Sequence, residues 1–103
     1  MIQWIYGESG VGKSTLARKL LDPRTIHLDG DDMRRVWTDL GFSDADRMTN
    51  NVRIAHLARV LDRQGFNVVV STICPTGKIR KAVHLITGCA FIHLESEQDK
   101  KKW

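Results

Sequence analysis

The sequence predicts an α/β fold of three layers, in which helices cover both faces of a mostly parallel sheet of about four strands. Short apolar runs typical of buried strands alternate with helix-compatible stretches four times along the 103 residues. Glycine-rich or polar residues follow three of these strands, at the ends where such sheets bind ligands. A chain of this length is expected to form a single domain, residues 1–103.

The first half of the chain contains two predicted strands, each followed by a helix. Asp22-Pro23 ends the first helix, because proline lacks an amide hydrogen and disfavours helical geometry in the residue before it. Gly41 is predicted to end the second helix. The elements of this half are a strand over 2–6, a helix over about 12–21, a strand over 25–28 and a helix over 32–40.

The second half begins with a long helix. Ser43 is its predicted N-cap, and Asp44 and Asp46 suit a first turn, where the helix dipole favours negative charge. Gln64-Gly65 ends the helix, and one core-facing stripe contains Ile54, Leu57, Ala58 and Leu61. The remaining elements are a strand over 66–72, whose continuous β-branched run indicates cover on both faces, a helix opened by Pro75, and a strand over 90–94.

The composition is that of an ordinary globular protein with an anionic ligand. Apolar residues make up 42% of the chain, no apolar run approaches the roughly 20 residues of a membrane span, and we expect no signal peptide before the first strand. We therefore expect a cytoplasmic protein without a membrane partner. The net charge of +4 favours an anion but does not by itself indicate nucleic acid, and the lysines at 100–102 are interpreted as a solvated tail. Cys74 and Cys89 match neither a disulfide framework nor a metal site, so we predict buried thiols.

The loop after the first strand carries the most specific motif in the chain. Gly-Glu-Ser-Gly-Val-Gly-Lys-Ser matches G-x-x-x-x-G-K-[ST], and a strand before it with a helix after it is the context of a P-loop. Glycines in such a loop turn successive N–H groups toward one phosphate. Lys13 is expected to reach the β- and γ-phosphates of ATP, and the Ser14 hydroxyl to bind Mg²⁺. The predicted nucleotide-binding residues are Gly7, Glu8, Ser9, Gly10, Val11, Gly12, Lys13, Ser14 and Thr15.

A P-loop fixes the fold class as that of the P-loop NTPases without fixing the reaction. Switches, motors and small-molecule kinases share the motif. The chain is too short for the additional machinery of most motors, and it contains no NKxD-like motif for guanine. A compact nucleoside or metabolite kinase is the class that remains.

Asp29-Gly30-Asp31 places two carboxylates beside the predicted phosphate site. One carboxylate suits Mg²⁺ or its waters, and the other suits an acceptor hydroxyl as orienting group or general base. The alternative is an exposed Asp-Gly turn that caps the next helix.

Basic and aromatic residues supply candidates for the acceptor. Arg47 and Asn50 are three residues apart and therefore share a helix face, and the guanidinium groups of Arg34 and Arg47 suit phosphate or sulfate oxygens. The alternative for both arginines is a role as surface charges. Phe42 is either a core residue or a stacking surface for a base.

Several segments resemble adenylylsulfate kinase in the order found in that family: LDGDDMRR, LGFSDADR, Asn50 and IAHLARVLDRQGFNVVVSTICP. The family phosphorylates the 3′-hydroxyl of adenylyl sulfate with Mg-ATP. The resemblance implies that Lys13 and Asp31 are catalytic and that Ser14 and Asp29 lie at the metal. It implies that the acceptor-binding residues are Asp31, Arg34, Phe42, Arg47, Asn50 and Ile73.

The chain also departs from the family pattern. Cys74 replaces a serine that is phosphorylated in some members, and Thr72 stands where phenylalanine is usual. The segments before Asp29 and before Gly41 are shorter than usual. Family members continue beyond the fourth strand into a basic lid, a fifth strand and a final helix. We therefore expect either a minimal enzyme, completed by a second copy or another subunit, or a truncated one.

Three functions stay open on the sequence. The first is an adenylylsulfate kinase-like enzyme. The second is a P-loop kinase of another hydroxylated metabolite, a nucleotide or a polynucleotide end. The third is an ATP-binding module without turnover.

Overall fold

The protein is built around a parallel sheet, as shown by a computed structural model that describes residues 1–8, 12–73 and 76–94. The described strands form one four-stranded sheet in the order β2-β3-β1-β4, and all three strand pairings are parallel. The elements are β1 (Ile2–Tyr6), α1 (Lys13–Lys19), β2 (Thr25–Asp29), α2 (Gly30–Val36), α3 (Asp44–Arg63), β3 (Asn67–Thr72), α4 (Gly77–Thr87) and β4 (Ala90–His93).

Both faces of the sheet are covered, which confirms the three-layer prediction. The apolar run of β3 is divided between them, because successive side chains of a strand point to opposite faces: Val68 and Val70 belong to one cluster and Val69 to the other. The larger cluster lies under α3 and α4 and contains Ile2, Trp4, Leu28, Ile54, Ala55, Ala58, Val68, Val70, Ile79, Val83 and Cys89. The smaller cluster, Ile5, Ala17 and Val69, lies under α1.

The predicted boundaries are confirmed within two residues for α1 and all four strands, but the prediction for α2 is wrong. This helix begins at Gly30, because the Asp29 side chain caps it, and ends at Val36, not at Gly41. Trp37 leaves the helical conformation with φ −109° and ψ 111°. The segment between α2 and α3 then contacts α3: the Trp37 indole donates to Asn50, and the Gly41 amide donates to Asp46 Oδ2.

The ends and the core face of α3 are as predicted. Ser43 Oγ accepts a hydrogen bond from the Asp46 amide at 3.1 Å, and Gly65 after the helix has φ +95°, a conformation that favours glycine. Ile54 and Ala58 of the predicted stripe are buried, and the other two members pack against the same cluster.

The second half of the chain contains the cap of α4 and a buried cysteine. Thr76 caps α4, while Cys74, Pro75 and the lysines at 100–102 lie outside the described residues. Cys89 is a buried free thiol, as predicted, and its burial raises its pKa. None of the helices described here has the length and hydropathy needed to cross a membrane.

Candidate active site

The carboxyl ends of β1, β2 and β3 meet at one cleft of about 380 Å³, a volume typical of small-molecule sites. We call its phosphate-loop side the nucleotide half, formed by Gly12, Lys13, Ser14 and Thr15. We call the opposite side the acceptor half, formed by Arg34, Phe42, Arg47, Asn50 and Ile73. Asp29 and Asp31 lie in the same lining. The segments that follow β1, β2 and β3 therefore meet at one edge of the sheet, as the alternation of strands and helices predicted.

The nucleotide half is held by contacts within one short stretch of chain. Gly12 has φ +95° and begins α1 without a side-chain cap, so the first amides of that helix have no side-chain partner at the N-cap. Lys13 Nζ donates to the carbonyl oxygens of Gly7 at 2.9 Å and Glu8 at 2.7 Å. Gly7 and Glu8 thus contribute main-chain atoms, whereas Ser9, Gly10 and Val11 lie outside the described residues.

The ammonium of Lys13 lies near both carboxylates of the cleft. Partial burial lowers the pKa of Lys13, while the charges of Asp31 and Asp29 act in the opposite direction. The two acidic side chains therefore favour the charged form of a lysine that the surrounding protein partly desolvates.

The carboxylate of Asp29 both caps α2 and lines the cleft, so the two positions that the sequence left as alternatives are both observed. Its Oδ2 accepts from the Asp32 amide at 3.3 Å and caps α2. Its Oδ1 accepts from Ser71 Oγ at 2.8 Å and from Ser14 Oγ at 3.3 Å, inside the cleft. Capping and membership of the site are therefore compatible, because the two oxygens of one carboxylate face different partners.

Gly30 brings α2 close to β3. A Cβ atom at this position would lie 3.1 Å from Thr72 Cγ2, closer than most Cβ contacts in proteins. The absence of a side chain lets Asp29 at the strand end and Asp31 in the first helical turn lie at the same cleft.

The residues of the cleft fit Mg²⁺ when its other ligands come from a nucleotide and water. The Ser14 hydroxyl and the Asp29 carboxylate place two oxygens 3.3 Å apart, and hard cations prefer oxygen. Among the residues described, no group of three or more His, Cys, Asp or Glu side chains is arranged to hold a metal. This pattern suits Mg²⁺, which keeps several waters and binds one or two protein oxygens together with phosphates.

The acceptor half is formed by α2, α3, the segment between them and Ile73 after β3. Arg34 Nη1 donates to the Gly41 carbonyl, and its guanidinium lies 4.7 Å from the centroid of the Phe42 ring. Phe42 is 72% exposed, so the core alternative for this residue is wrong. Arg47 and Asn50 share one face of α3 and both line the cleft, as predicted.

Trp37, Asp39 and Arg53 support the acceptor half from outside the cleft lining, and the sequence did not identify them. Trp37 Nε1 donates to Asn50 Oδ1 at 2.8 Å, and Asn50 is only 3% exposed. The guanidinium of Arg53 lies 5.7 Å from the centroid of the Trp37 ring and forms two hydrogen bonds with Asp39. No sequence pattern marks these contacts, because the partners are 13 and 14 residues apart.

Two residues at the end of β3 also line the cleft. Ser71 bonds Asp29, and Thr72 Oγ1 accepts from the buried indole of Trp4 at 2.8 Å. The sequence predicted polar residues at the ligand end of this strand, but it gave neither Ser71 nor Thr72 a role.

A family model and several curated relatives indicate the same family for this chain. The sequence model of adenylylsulphate kinase matches residues 1–99. The adenylyl-sulfate kinase of Paraburkholderia xenovorans is 41% identical over 98 residues, which are 88% of this chain and 55% of the relative. The chain spans about half the length of the curated relatives it matches.

Solved structures show the same similarity. The APS kinase of Mycobacterium tuberculosis in complex with AMPPNP and APS (adenylyl sulfate) superposes with a TM-score of 0.79 at 36% identity, covering 98% of this chain and 66% of that one. A hexameric APS kinase from Thiobacillus denitrificans gives a TM-score of 0.76 at 32% identity, covering 90% of this chain and 22% of that one.

Proposed function

The chain belongs to the adenylylsulphate kinase family, and we propose that it transfers the γ-phosphoryl group of ATP to the 3′-hydroxyl of adenylyl sulfate. The products are ADP and 3′-phosphoadenylyl sulfate. The observation that carries the proposal is the single cleft in which a phosphate loop faces two arginines and an exposed aromatic ring across a pair of aspartates.

Phosphoryl transfer depends mainly on positioning and on stabilisation of charge. In the proposed reaction the bond between the γ-phosphorus and the bridging oxygen of ADP breaks, and a bond from the 3′-oxygen to that phosphorus forms. Lys13 stabilises the negative charge on the transferring group, and the Asp31 carboxylate orients the hydroxyl and accepts its proton. For this, the Lys13 ammonium exchanges the carbonyl oxygens of Gly7 and Glu8 for phosphate oxygens.

The acceptor half suits an anionic nucleotide. The guanidinium groups of Arg34 and Arg47 match the oxygens of the phosphate-sulfate group, and the exposed ring of Phe42 offers a stacking surface for adenine. Asn50 and Ile73 complete the lining of this side.

Mg²⁺ belongs to the proposal as the ion that neutralises charge on the phosphates of ATP. Ser14 and Asp29 are the residues that would hold it, since their oxygens adjoin each other beside the phosphate loop.

Acceptor-dependent release of ADP from Mg-ATP tests the proposal. Adenylyl sulfate is compared with no acceptor and with a panel of nucleotides, polynucleotide 5′-ends and hydroxylated metabolites. We expect release only with adenylyl sulfate, and loss of that activity in Lys13→Ala. Lys19→Ala is the matched control, because Lys19 lies on the same helix but faces solvent.

Two other outcomes would replace the proposal. Turnover with another acceptor, and none with adenylyl sulfate, would establish a different P-loop kinase. ATP binding that no acceptor converts into ADP release would establish a binding module without turnover.

Oligomer formation is a further part of the proposal. The hexameric relative supports association with a second copy of the chain, and completion by a different subunit is the alternative that the sequence left open. Light scattering of the purified protein with and without AMPPNP measures this directly. Location in the cytoplasm stays a prediction from the composition.

A further inference from the structure

We propose that Ser71 and His27 are positioning residues, which hold the carboxylate of Asp29 in the orientation that the nucleotide-bound metal requires. The inference rests on the proposed function, since it assigns Asp29 to the phosphate end of the cleft. It extends that function to two residues to which the sequence assigned no role.

The three side chains form a continuous hydrogen-bonded row. His27 Nε2 lies 2.7 Å from Ser71 Oγ, and Ser71 Oγ lies 2.8 Å from Asp29 Oδ1. An ionised carboxylate only accepts hydrogen bonds, so the single hydroxyl proton of Ser71 is donated to Asp29. His27 must therefore donate from Nε2 to the serine oxygen, which fixes the tautomer of its neutral ring.

The strand register places the row on one face of the sheet. Asp29 pairs with Ser71 across the parallel strands β2 and β3, and His27 lies two residues before Asp29 on the same strand. Val69, two residues before Ser71, belongs to the cluster under α1, so the row faces the helix that carries Ser14. The fold thus places His27 and Ser71 directly behind the carboxylate that meets the phosphate loop.

Burial makes these contacts persistent. Ser71 is 1% exposed, so water does not replace its hydrogen bond to Asp29. The bond from Ser14 to the same oxygen is longer, at 3.3 Å, and joins two partly buried groups. The hydrogen bond from Ser14, which would be exchanged for a metal, is therefore the weaker one. The hydrogen bond from Ser71, which orients the carboxylate, is the stronger one.

Groups that orient a metal-binding carboxylate affect metal affinity by about 10- to 100-fold when they are removed. A residue that only stabilises the fold would lower the melting temperature without changing the metal requirement of nucleotide binding. The two roles are therefore separable by measurement.

The test is the Mg²⁺ concentration that gives half-maximal binding of AMPPNP, measured by calorimetry on the full chain, together with AMPPNP affinity in EDTA. In Ser71→Ala we expect this Mg²⁺ concentration to rise about 10-fold or more, with affinity in EDTA within about twofold of wild type. Val69→Ala is the matched control: it removes buried atoms from the same strand and face, and should lower the melting temperature without changing the Mg²⁺ requirement.

A pair of histidine variants keeps the test decisive if Ser71→Ala does not fold. His27→Leu removes the donor and should raise the Mg²⁺ requirement, whereas His27→Gln retains an N–H donor and should restore it toward the wild-type value. An unchanged Mg²⁺ requirement in Ser71→Ala, or the same value in both histidine variants, would overturn the inference. Wild-type binding of AMPPNP that is independent of Mg²⁺ would instead overturn the assignment of Ser14 and Asp29 in the proposed function, and the inference with it.

Discussion

The two halves of the cleft are built in different ways. In the nucleotide half, Lys13 bonds the carbonyl oxygens of Gly7 and Glu8, so the contact closes within six residues of chain. In the acceptor half, Asn50 is held by Trp37 from a different element, and Arg34 is held by Gly41 beyond the end of its helix. The geometry of the nucleotide half therefore depends on one loop, whereas the geometry of the acceptor half depends on how α2 and the segment after it pack on α3.

This difference has a consequence for mutations. We expect a change in the nucleotide half to act on phosphate binding and on the proposed reaction, because main-chain geometry there is set locally. We expect a change in the acceptor half to act on acceptor affinity, and its effect to depend on side chains that lie outside the cleft.

The largest effect is expected at the aspartate between the halves. Asp31→Asn keeps the size of the side chain but removes the carboxylate to which we assign the acceptor proton, so we expect kcat to fall by about 10²- to 10⁴-fold. AMPPNP affinity, measured by calorimetry, should stay within a few fold. A variant with kcat near wild type would remove Asp31 from the reaction.

A smaller effect is expected at Arg47, and only for the acceptor. Loss of a charged hydrogen bond of about 1.5–3 kcal/mol corresponds to a rise of roughly 10- to 100-fold in the KM for adenylyl sulfate, with the KM for ATP unchanged. Arg59→Ala is the control, because Arg59 lies on the same helix and is exposed. Equal changes in the KM for adenylyl sulfate and the KM for ATP would mean that the two halves of the cleft do not bind their ligands independently.

Trp37→Phe tests whether support from outside the cleft reaches the acceptor. The variant keeps an aromatic ring but leaves the buried Oδ1 of Asn50 without its donor, which should lower the free energy of unfolding by about 1–3 kcal/mol. The KM for adenylyl sulfate should rise several-fold in steady-state assays. Val83→Ala destabilises the core away from the cleft, so a similar rise in that variant would assign the effect to lost stability alone.

The smallest effect is an increase in stability at Asn51. This residue is 1% exposed, and its Oδ1 is the one buried side-chain atom without a hydrogen-bond partner among the described residues. Asn51→Leu removes the unpaired oxygen and also the 2.8 Å hydrogen bond from Asn51 Nδ2 to the Arg47 carbonyl, so we expect a net gain of at most about 1 kcal/mol in chemical denaturation with kcat unchanged. Asn51→Asp should be destabilising, and a loss of stability in the leucine variant would show that the bond to Arg47 outweighs the cost of the unpaired oxygen.

Much of the fold could be predicted from the sequence because its signals are local. The β-branched run of β3, the Ser43 cap and the stripe on α3 each depend on neighbouring residues, and the structure confirms all three. The end of α2 could not be predicted in this way. Gly41 is a plausible local stop, but the indole of Trp37 and the amide of Gly41 find partners on α3, so the helix ends earlier.

The same division applies to the site. The phosphate-loop motif and the Asp29-Gly30-Asp31 segment identify which residues belong to the ligand edge, because residue type and spacing alone determine that chemistry. The sequence left Phe42 open between a core residue and a stacking surface, and left the Asp29-Gly30-Asp31 segment open between a ligand site and an exposed turn that caps the next helix. Only the packing of α2 and of the segment after it shows that the Phe42 ring is exposed and that the two oxygens of Asp29 have separate partners.

The sequence by itself determined the α/β class, the strand edge that binds ligands and the family to which the chain belongs. The tertiary structure alone decided that Ser71 contacts both His27 and Asp29, from which it is separated by 44 and 42 residues of chain. Contacts of this kind arise from strand register and helix docking, which depend on the whole core. A hydrogen bond between distant side chains therefore leaves no pattern in the local sequence.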